Sequence, residues 1–293
     1  MSKDRYAIAI HGGAGPRVKG ADNAEKIREY ENALEQALLA GSRILEDGGS
    51  ALDAVEQSVI ELEDCSLFNA GKGSVYTADG QHELDAAIMD GSNLEAGAVA
   101  QLRGIRNPRQ VARAVMEHSE HVFLAADGAL QFARALDYPL QDAAYFAVPE
   151  RYQQWQDARQ EGGTPSVPDK FGTVGAVALD SQGNLAAATS TGGILNKRYG
   201  RIGDSPLIGA GTYANNKTCA VSCTGSGEFF IRAVAAYDLA CLIEHAKLPL
   251  EEAAMRVVHE RLMDIRGDGG LIAVDTLGNI SMPFNTQRMF RAC

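Results

Sequence analysis

Apolar positions recur along the chain in two periods, and the changes between them mark out its elements. Residues 6–10 are a short, nearly continuous apolar run, the pattern of a buried strand, which ends at His11-Gly-Gly-Ala-Gly15. Residues 24–45 carry apolar side chains at helical spacing until Gly48-Gly49 stops them. Ser50 is placed to cap a second helix through Ala54, Val55, Val59 and Ile60, because its hydroxyl can accept from the unpaired N–H groups of a first turn. Residues 65–73 have no period and read as a structured loop. Strand patterns follow at 74–76, 84–89 and 96–102, with turn chemistry at Asp90-Gly91. Asn107-Pro108 opens a helix through Val111, Val115 and Met116, and residues 128–135 predict another.

Beyond Pro149 the periodicity fades. Residues 151–160 are polar and 161–170 are rich in Gly, Pro and Ser, so 151–172 reads as an exposed, mobile linker. Strands resume at 173–179 and 185–190 around the turn Asp180-Ser-Gln-Gly-Asn184, and again at 218–222. One long helix is predicted over 229–245, another over 250–262, and a final hairpin joins 270–274 to 280–283. Strands and helices come in blocks rather than strict alternation, which favours a layered α+β domain over a doubly wound sheet.

Composition narrows the function. The 293 residues give one large domain or two small ones, with 27 Lys and Arg against 38 Asp and Glu, a net charge of −11. There is no basic tract, which argues against nucleic acid or an anionic membrane surface as partner. No apolar run approaches the ~18 residues of a membrane span, and the N-terminal apolar stretch is too short for a secretory signal, so a cytoplasmic enzyme or binding protein is expected. The five cysteines are scattered. Cys219 and Cys223 lie four residues apart on a predicted strand, about 13 Å at ~3.3 Å per residue, too far for one zinc ion or a disulfide. The 31 glycines exceed the usual share and call for many tight turns or close backbone approaches.

The most informative joint is where the Gly/Pro-rich segment runs into Phe171-Gly172-Thr173-Val174-Gly175 at the start of a core strand. Such a pair is also found in ordinary turns. Were the Gly172–Thr173 bond to break, however, Thr173 would carry a hydroxyl nucleophile and a free α-amine whose reference pKa of ~8 suits a general base. The break can be intramolecular: the threonine Oγ attacks the preceding carbonyl, and a glycine there tolerates the strained backbone.

Seven blocks, His11-Gly-Gly-Ala-Gly15, Leu67-Phe-Asn-Ala-Gly71, Glu83-Leu-Asp-Ala-Ala-Ile-Met-Asp-Gly91, Gly172-Thr-Val-Gly-Ala-Val-Ala178, Ser190-Thr-Gly-Gly193, Arg201-Ile-Gly-Asp-Ser-Pro206 and Cys223-Thr-Gly-Ser-Gly-Glu228, together resemble the plant-type asparaginase/isoaspartyl peptidase family. The resemblance spans nearly the whole chain and implies an N-terminal-nucleophile hydrolase with a four-layer αββα sandwich over 1–293. It implies self-cleavage into an α chain, 1–172, and a β chain, 173–293. It further implies a dimer of α/β heterodimers, acting on L-asparagine and β-aspartyl dipeptides.

Roles carry over position by position. By resemblance Thr173 is the nucleophile, Thr191 orients it, and Thr224 with Gly225 stabilises the oxyanion. Arg201 has the planar fork for an α-carboxylate, Asp204 supplies charge for an α-ammonium, and Gly227 contacts substrate. Asn69 assists self-cleavage beside Gly172. The same resemblance places a structural sodium ion among the main-chain carbonyls of Leu62, Glu63, Cys65, Phe68, Ala70 and Lys72, oxygen ligands that suit a hard cation. No cofactor for catalysis is implied.

Plainer readings stand beside these. His11 reads as a hydrogen-bonded packing residue rather than a base. Gly13-Ala-Gly15 lacks the third glycine of a dinucleotide fingerprint, since position 18 is Val. Arg201 with Asp204 also fits a solvated surface ion pair, and Thr224-Gly-Ser-Gly227 a helix-capping, anion-binding turn. Ser205 shapes the turn that presents Asp204, and Ser226 stands where the family often has Thr. Two further functions remain open: a glycosylasparaginase-type amidase, which needs room for a sugar, and an unprocessed, inactive relative that binds an amino acid.

Overall fold

A computed structural model describes residues 5–15, 24–160 and 172–293. Among these, eleven strands form two stacked sheets: β1 (Ala7–Gly15), β2 (Leu84–Asp90), β3 (Ala96–Leu102), β4 (Phe123–Ala125), β5 (Val174–Leu179), β6 (Leu185–Thr191), β7 (Thr212–Ala214), β8 (Cys219–Gly225), β9 (Gly269–Asp275), β10 (Ile280–Ser281) and β11 (Arg288–Ala292). The first sheet runs β11-β1-β5-β6-β2-β3-β4 and is antiparallel except for the β3–β4 pair; the second runs β10-β9-β8-β7 and is antiparallel throughout.

Helices cover the outer faces. α1 (Ala24–Glu46), α2 (Ala51–Asp64) and α3 (Pro108–His118) pack on the first sheet, followed by α4 (Ala126–Ala135), α5 (Ala143–Phe146) and α6 (Pro149–Gln160). α7 (Gly227–Ala233), α8 (Ala235–Glu244) and α9 (Leu250–Arg256) follow β8, and α8 and α9 pack against the second sheet. The result is the expected αββα sandwich.

The strand alternation explains the layering. Val174, Ala176 and Ala178 of β5 join Val55, Val59 and Leu62 of α2 in the helix-side core, while Val177 and Leu179 join Val221, Leu271 and Ala273 in the core shared with the second sheet. On β6, Ala186 and Ala188 face the helices and Ala187 faces inward. Thr189 and Thr191, at the same parity as Ala187, therefore point into the layer between the sheets.

Three sequence expectations change. The polar stretch 151–160 is not part of a linker: α6 is a helix that buries Arg151, Trp155 and Ala158. Its periodicity escapes a hydropathy scan because one of its buried anchors is an arginine, whose Nε and Nη2 donate to the carbonyls of Gly73 (3.0 Å) and Leu67 (3.1 Å). The remainder of that expected linker, 161–171, lies outside the described residues. Residues 74–76 form no strand but follow a 3-10 turn, Gly71–Gly73, whose C-cap Ser74 is already extended. The long helix over 229–245 is broken at Val234, which adopts φ +50° and separates α7 from α8. Short strands β4 and β7 carry too few residues to show a period. Ser50 caps α2 as expected, its hydroxyl accepting from Asp53 N at 3.1 Å.

Candidate active site

The sequence-predicted residues gather at one end of the layer between the sheets. Thr173 immediately precedes β5, Thr191 ends β6, and Thr224 and Gly225 end β8. Thr173 Oγ1 donates to Thr191 Oγ1 at 3.3 Å, and Gly193 N donates to the same oxygen at 2.9 Å. Thr191 in turn gives its hydrogen to the carbonyl of Gly172. All three threonines, 173, 191 and 224, are buried.

Asn69 supplies a second donor to that carbonyl. Its Nδ2 reaches Gly172 O at 3.2 Å and Gly193 O at 2.7 Å, while its Oδ1 accepts from Val75 N at 2.9 Å. Each end of the side-chain amide is thus committed, which fixes its orientation. Gly172 has to be glycine here: a Cβ on it would lie 2.5 Å from Asn69 Nδ2. The peptide between Gly172 and Thr173 therefore sits with its carbonyl held by two donors and a hydroxyl beside it.

Across the layer, Ala14 N donates to Thr224 Oγ1 at 3.1 Å, which leaves the Thr224 hydroxyl hydrogen for another acceptor. The neighbouring Gly13 brings this group close to the joint, since a Cβ on Gly13 would fall 3.0 Å from Gly172 N.

Arg201, Asp204 and Gly227 form the second half of the site. Gly227 opens α7 so close to the others that a Cβ on it would lie 2.7 Å from Asp204 Oδ1 and 3.0 Å from Arg201 Nη2. The guanidinium is engaged by Glu228 through two bonds, Nε to Oε1 at 2.9 Å and Nη2 to Oε2 at 3.0 Å, rather than by Asp204 as the surface-pair reading requires. Asp204 is buried, and its Oδ2 has no hydrogen-bond partner among the described residues. Burial pushes its carboxyl up to about 7, only partly offset by its own backbone N–H and by Arg201. A buried carboxylate short of a partner, facing an arginine fork, suits the ammonium and carboxylate of a free amino acid.

Sequence reasoning missed the support around this centre. Lys197 is buried, its Nζ donating to Glu83 O at 3.1 Å and lying 3.1 Å from where a Gly193 Cβ would be. Asp85, opposite Thr191 in the β2–β6 register, is buried nearby, and its Oδ1 accepts from Gln101 N at 2.8 Å. Burial lowers the Lys197 ammonium and raises the Asp85 carboxyl, and each partly restores the other's charge. The signal in the sequence was Asp85 at an inward position of an otherwise apolar strand.

The six carbonyls assigned to sodium lie on the last turn of α2 and in the loop up to Gly73. Ala70 O already accepts from Gly73 N at 3.1 Å, whereas no described donor reaches the carbonyls of Cys65, Phe68 or Lys72. No group of three or more His, Cys, Asp or Glu among the described residues could hold a metal ion, so any cation there depends on main-chain oxygen.

The family model described as asparaginase matches residues 4–293. The isoaspartyl peptidase of Escherichia coli (strain K12) is 52% identical, covering 98% of this chain and 92% of the relative. The isoaspartyl peptidase/L-asparaginase of Homo sapiens is 44% identical over 93% of this chain and 87% of its own. With matches of this extent laid over a sandwich whose inner layer ends in Thr173, Thr191 and Thr224, the chain belongs to the asparaginase family.

Proposed function

We propose that this protein is a self-cleaving threonine hydrolase that releases aspartate from L-asparagine and from β-aspartyl dipeptides. One observation carries the reading: the Gly172 carbonyl is held by Asn69 and Thr191 while the Thr173 hydroxyl bonds to Thr191. Family membership and the relatives' names, isoaspartyl peptidase and L-asparaginase, support the same substrates.

Self-cleavage begins with attack of Thr173 Oγ1 on the Gly172 carbonyl carbon. Negative charge then grows on the carbonyl oxygen, where the Asn69 amide and the Thr191 hydroxyl already point. Collapse transfers the acyl group to oxygen, and water completes the cut to leave α (1–172) and β (173–293) chains. Thr173 then begins the β chain with a free amine that can take the proton from its own hydroxyl.

In turnover, Arg201 binds the substrate's α-carboxylate and Asp204 its ammonium, which presents the side-chain carbonyl to Thr173. Thr224 and the Gly225 N–H stabilise the tetrahedral oxyanion, each such donor supplying about 3–4 kcal/mol. The leaving amine departs protonated, and water hydrolyses the aspartyl ester. Because only the aspartyl head is read, ammonia and an amino acid serve alike as leaving groups.

A sodium ion held by the carbonyls of residues 62, 63, 65, 68, 70 and 72 would supply structure rather than chemistry. A melting temperature unchanged when sodium is replaced by tetramethylammonium would remove it. A dimer of α/β heterodimers and a cytoplasmic setting complete the reading, on the family resemblance; no described helix is long and apolar enough to cross a membrane.

The test is intact mass after incubation at neutral pH, followed by ammonia release from L-asparagine and aspartate release from β-Asp-Leu. Two fragments split at 172/173 and turnover of either substrate are expected. One uncut chain, or turnover by Thr173→Ala, would sink the reading.

A further inference from the structure

His11 is fully buried and lies opposite Gly175 in the β1–β5 register. Its Nδ1 is 3.1 Å from the carbonyl oxygen of Thr173 and its Nε2 is 2.9 Å from Ser222 Oγ. A carbonyl only accepts, so Nδ1 carries the hydrogen. Burial holds the ring neutral, taking its pKa down to about 3, so Nε2 is bare and must receive a hydrogen from Ser222. Ser222 has then spent its one hydrogen, so Thr189 donates to Ser222 Oγ across 2.7 Å. Thr212 Oγ1 supplies the next hydrogen, to Thr189 Oγ1 at 2.6 Å.

We propose that His11 is a positioning residue for Thr173, fixed in a single tautomer by the Thr173 carbonyl on one side and the hydroxyls of Ser222, Thr189 and Thr212 on the other. The chain crosses the layer between the sheets: β1 and β6 belong to the first sheet, β7 and β8 to the second. It thus ties the residue that attacks to both sheets. Polar groups in such a layer are costly when unpaired, so each partner holds the next in place. The sequence leaves room for it, because a side chain at Gly175 would overlap both Ser222 Oγ and the His11 ring.

The proposal rests on Thr173 being the nucleophile. Once the Gly172–Thr173 bond is cut, Thr173 is a chain end, tethered only from its C-terminal side. The bond from His11 to its carbonyl then governs the peptide plane from which Oγ1 and the amine project. A displacement of ~1 Å at a reacting group can cost on the order of 100-fold in rate.

The discriminating pair is His11→Asn and His11→Gln. An asparagine amide can stand where Nδ1 donates, whereas the glutamine amide stands where Nε2 does. Both are scored by intact mass for self-cleavage and then by kcat and KM on β-Asp-Leu, with Ser222→Ala alongside. The expected result is a kcat lower by roughly 10–100-fold in His11→Gln, with KM changed little and Asn restoring most of the loss. Imidazole 15N spectra of the unmutated enzyme at pH 7 are expected to show the Nδ1–H tautomer. An Nε2–H tautomer overturns the proposal, as do Asn and Gln variants that match the parent or fall equally. Thr173→Ala separates the two readings: if it still turns over, the nucleophile assignment fails, whereas an inert Thr173→Ala with parent-like His11 variants removes His11 alone.

Discussion

Thr191 Oγ1 accepts from the Thr173 hydroxyl at 3.3 Å and gives its own hydrogen to the carbonyl of Gly172, the residue on the far side of the same peptide bond. One hydroxyl thereby touches both partners of the bond to be broken. Thr191→Val keeps the shape of this buried side chain and removes the donor. Self-cleavage followed by intact mass should slow by roughly 100–1,000-fold, with little change in melting temperature. Cleavage at the parent rate would show that Thr191 only packs.

Asn69 joins the same carbonyl to the Ser190-Thr-Gly-Gly193 turn through Gly193 O and to the chain at Val75 N. Asn69→Leu strips the donor and strands the Val75 N–H and the Gly193 carbonyl inside the protein. A loss of about 1–3 kcal/mol in urea unfolding is expected, together with slower cleavage. Asn69→Asp separates the effects, since it still accepts from Val75 N but presents charge to Gly172 O; it should fold better than the Leu variant and cleave no faster.

Asp204 titrates at about 7 because burial disfavours its charged form. The sign follows from the folded value lying above the unfolded one near ~3.9: the proton stabilises the fold fully below pH 4, and that stability is lost as pH rises through 7. Asp204→Asn should therefore melt roughly 2–8 °C above the parent at pH 8, with the gap closing at pH 4. Since the ammonium needs the carboxylate, kcat/KM for L-asparagine in the parent should fall as pH drops below 7. An unchanged melting difference between pH 4 and pH 8 would contradict this electrostatic account.

Arg151 reaches from α6 to the carbonyls of Leu67 and Gly73, which flank Asn69 in the loop. Replacing it by leucine leaves both acceptors without that donor, and the loop that carries Asn69 loses its clamp. Arg151→Leu should lower stability by about 1–3 kcal/mol and slow self-cleavage, while Arg151→Lys, a single point donor, should recover only part. Hydrogen exchange over residues 65–75 would locate the loosening.

Elements with a long period were legible in the sequence: α1 through its apolar stripe, α2 through Ser50, and β5 with β6 around the Asp180 turn. Two misreadings share one cause. α6 looked like linker because burial there is paid to an arginine satisfied by main-chain carbonyls, and the break at Val234 leaves no mark in an apolar pattern that continues through it. Local pattern records which side chains avoid water, not which backbone groups a distant side chain will satisfy.

The sequence by itself determined the layered class, through blocks of strands and helices, and the joint at Gly172 and Thr173, through a Gly/Pro-rich segment running into a core strand. It also named the three threonines, by resemblance. Only the tertiary structure decided how they act together: that two donors from elements far apart in the chain meet on the Gly172 carbonyl, that Arg201 is held by Glu228 while Asp204 is buried short of a partner, and that His11 faces Thr173 O with a hydroxyl chain behind it. Hydrogen bonds of this kind depend on separations of about 3 Å between residues more than a hundred positions apart, such as Asn69 and Gly172. Periodicity reaches no further than one element, and the stacking of two sheets sets that distance.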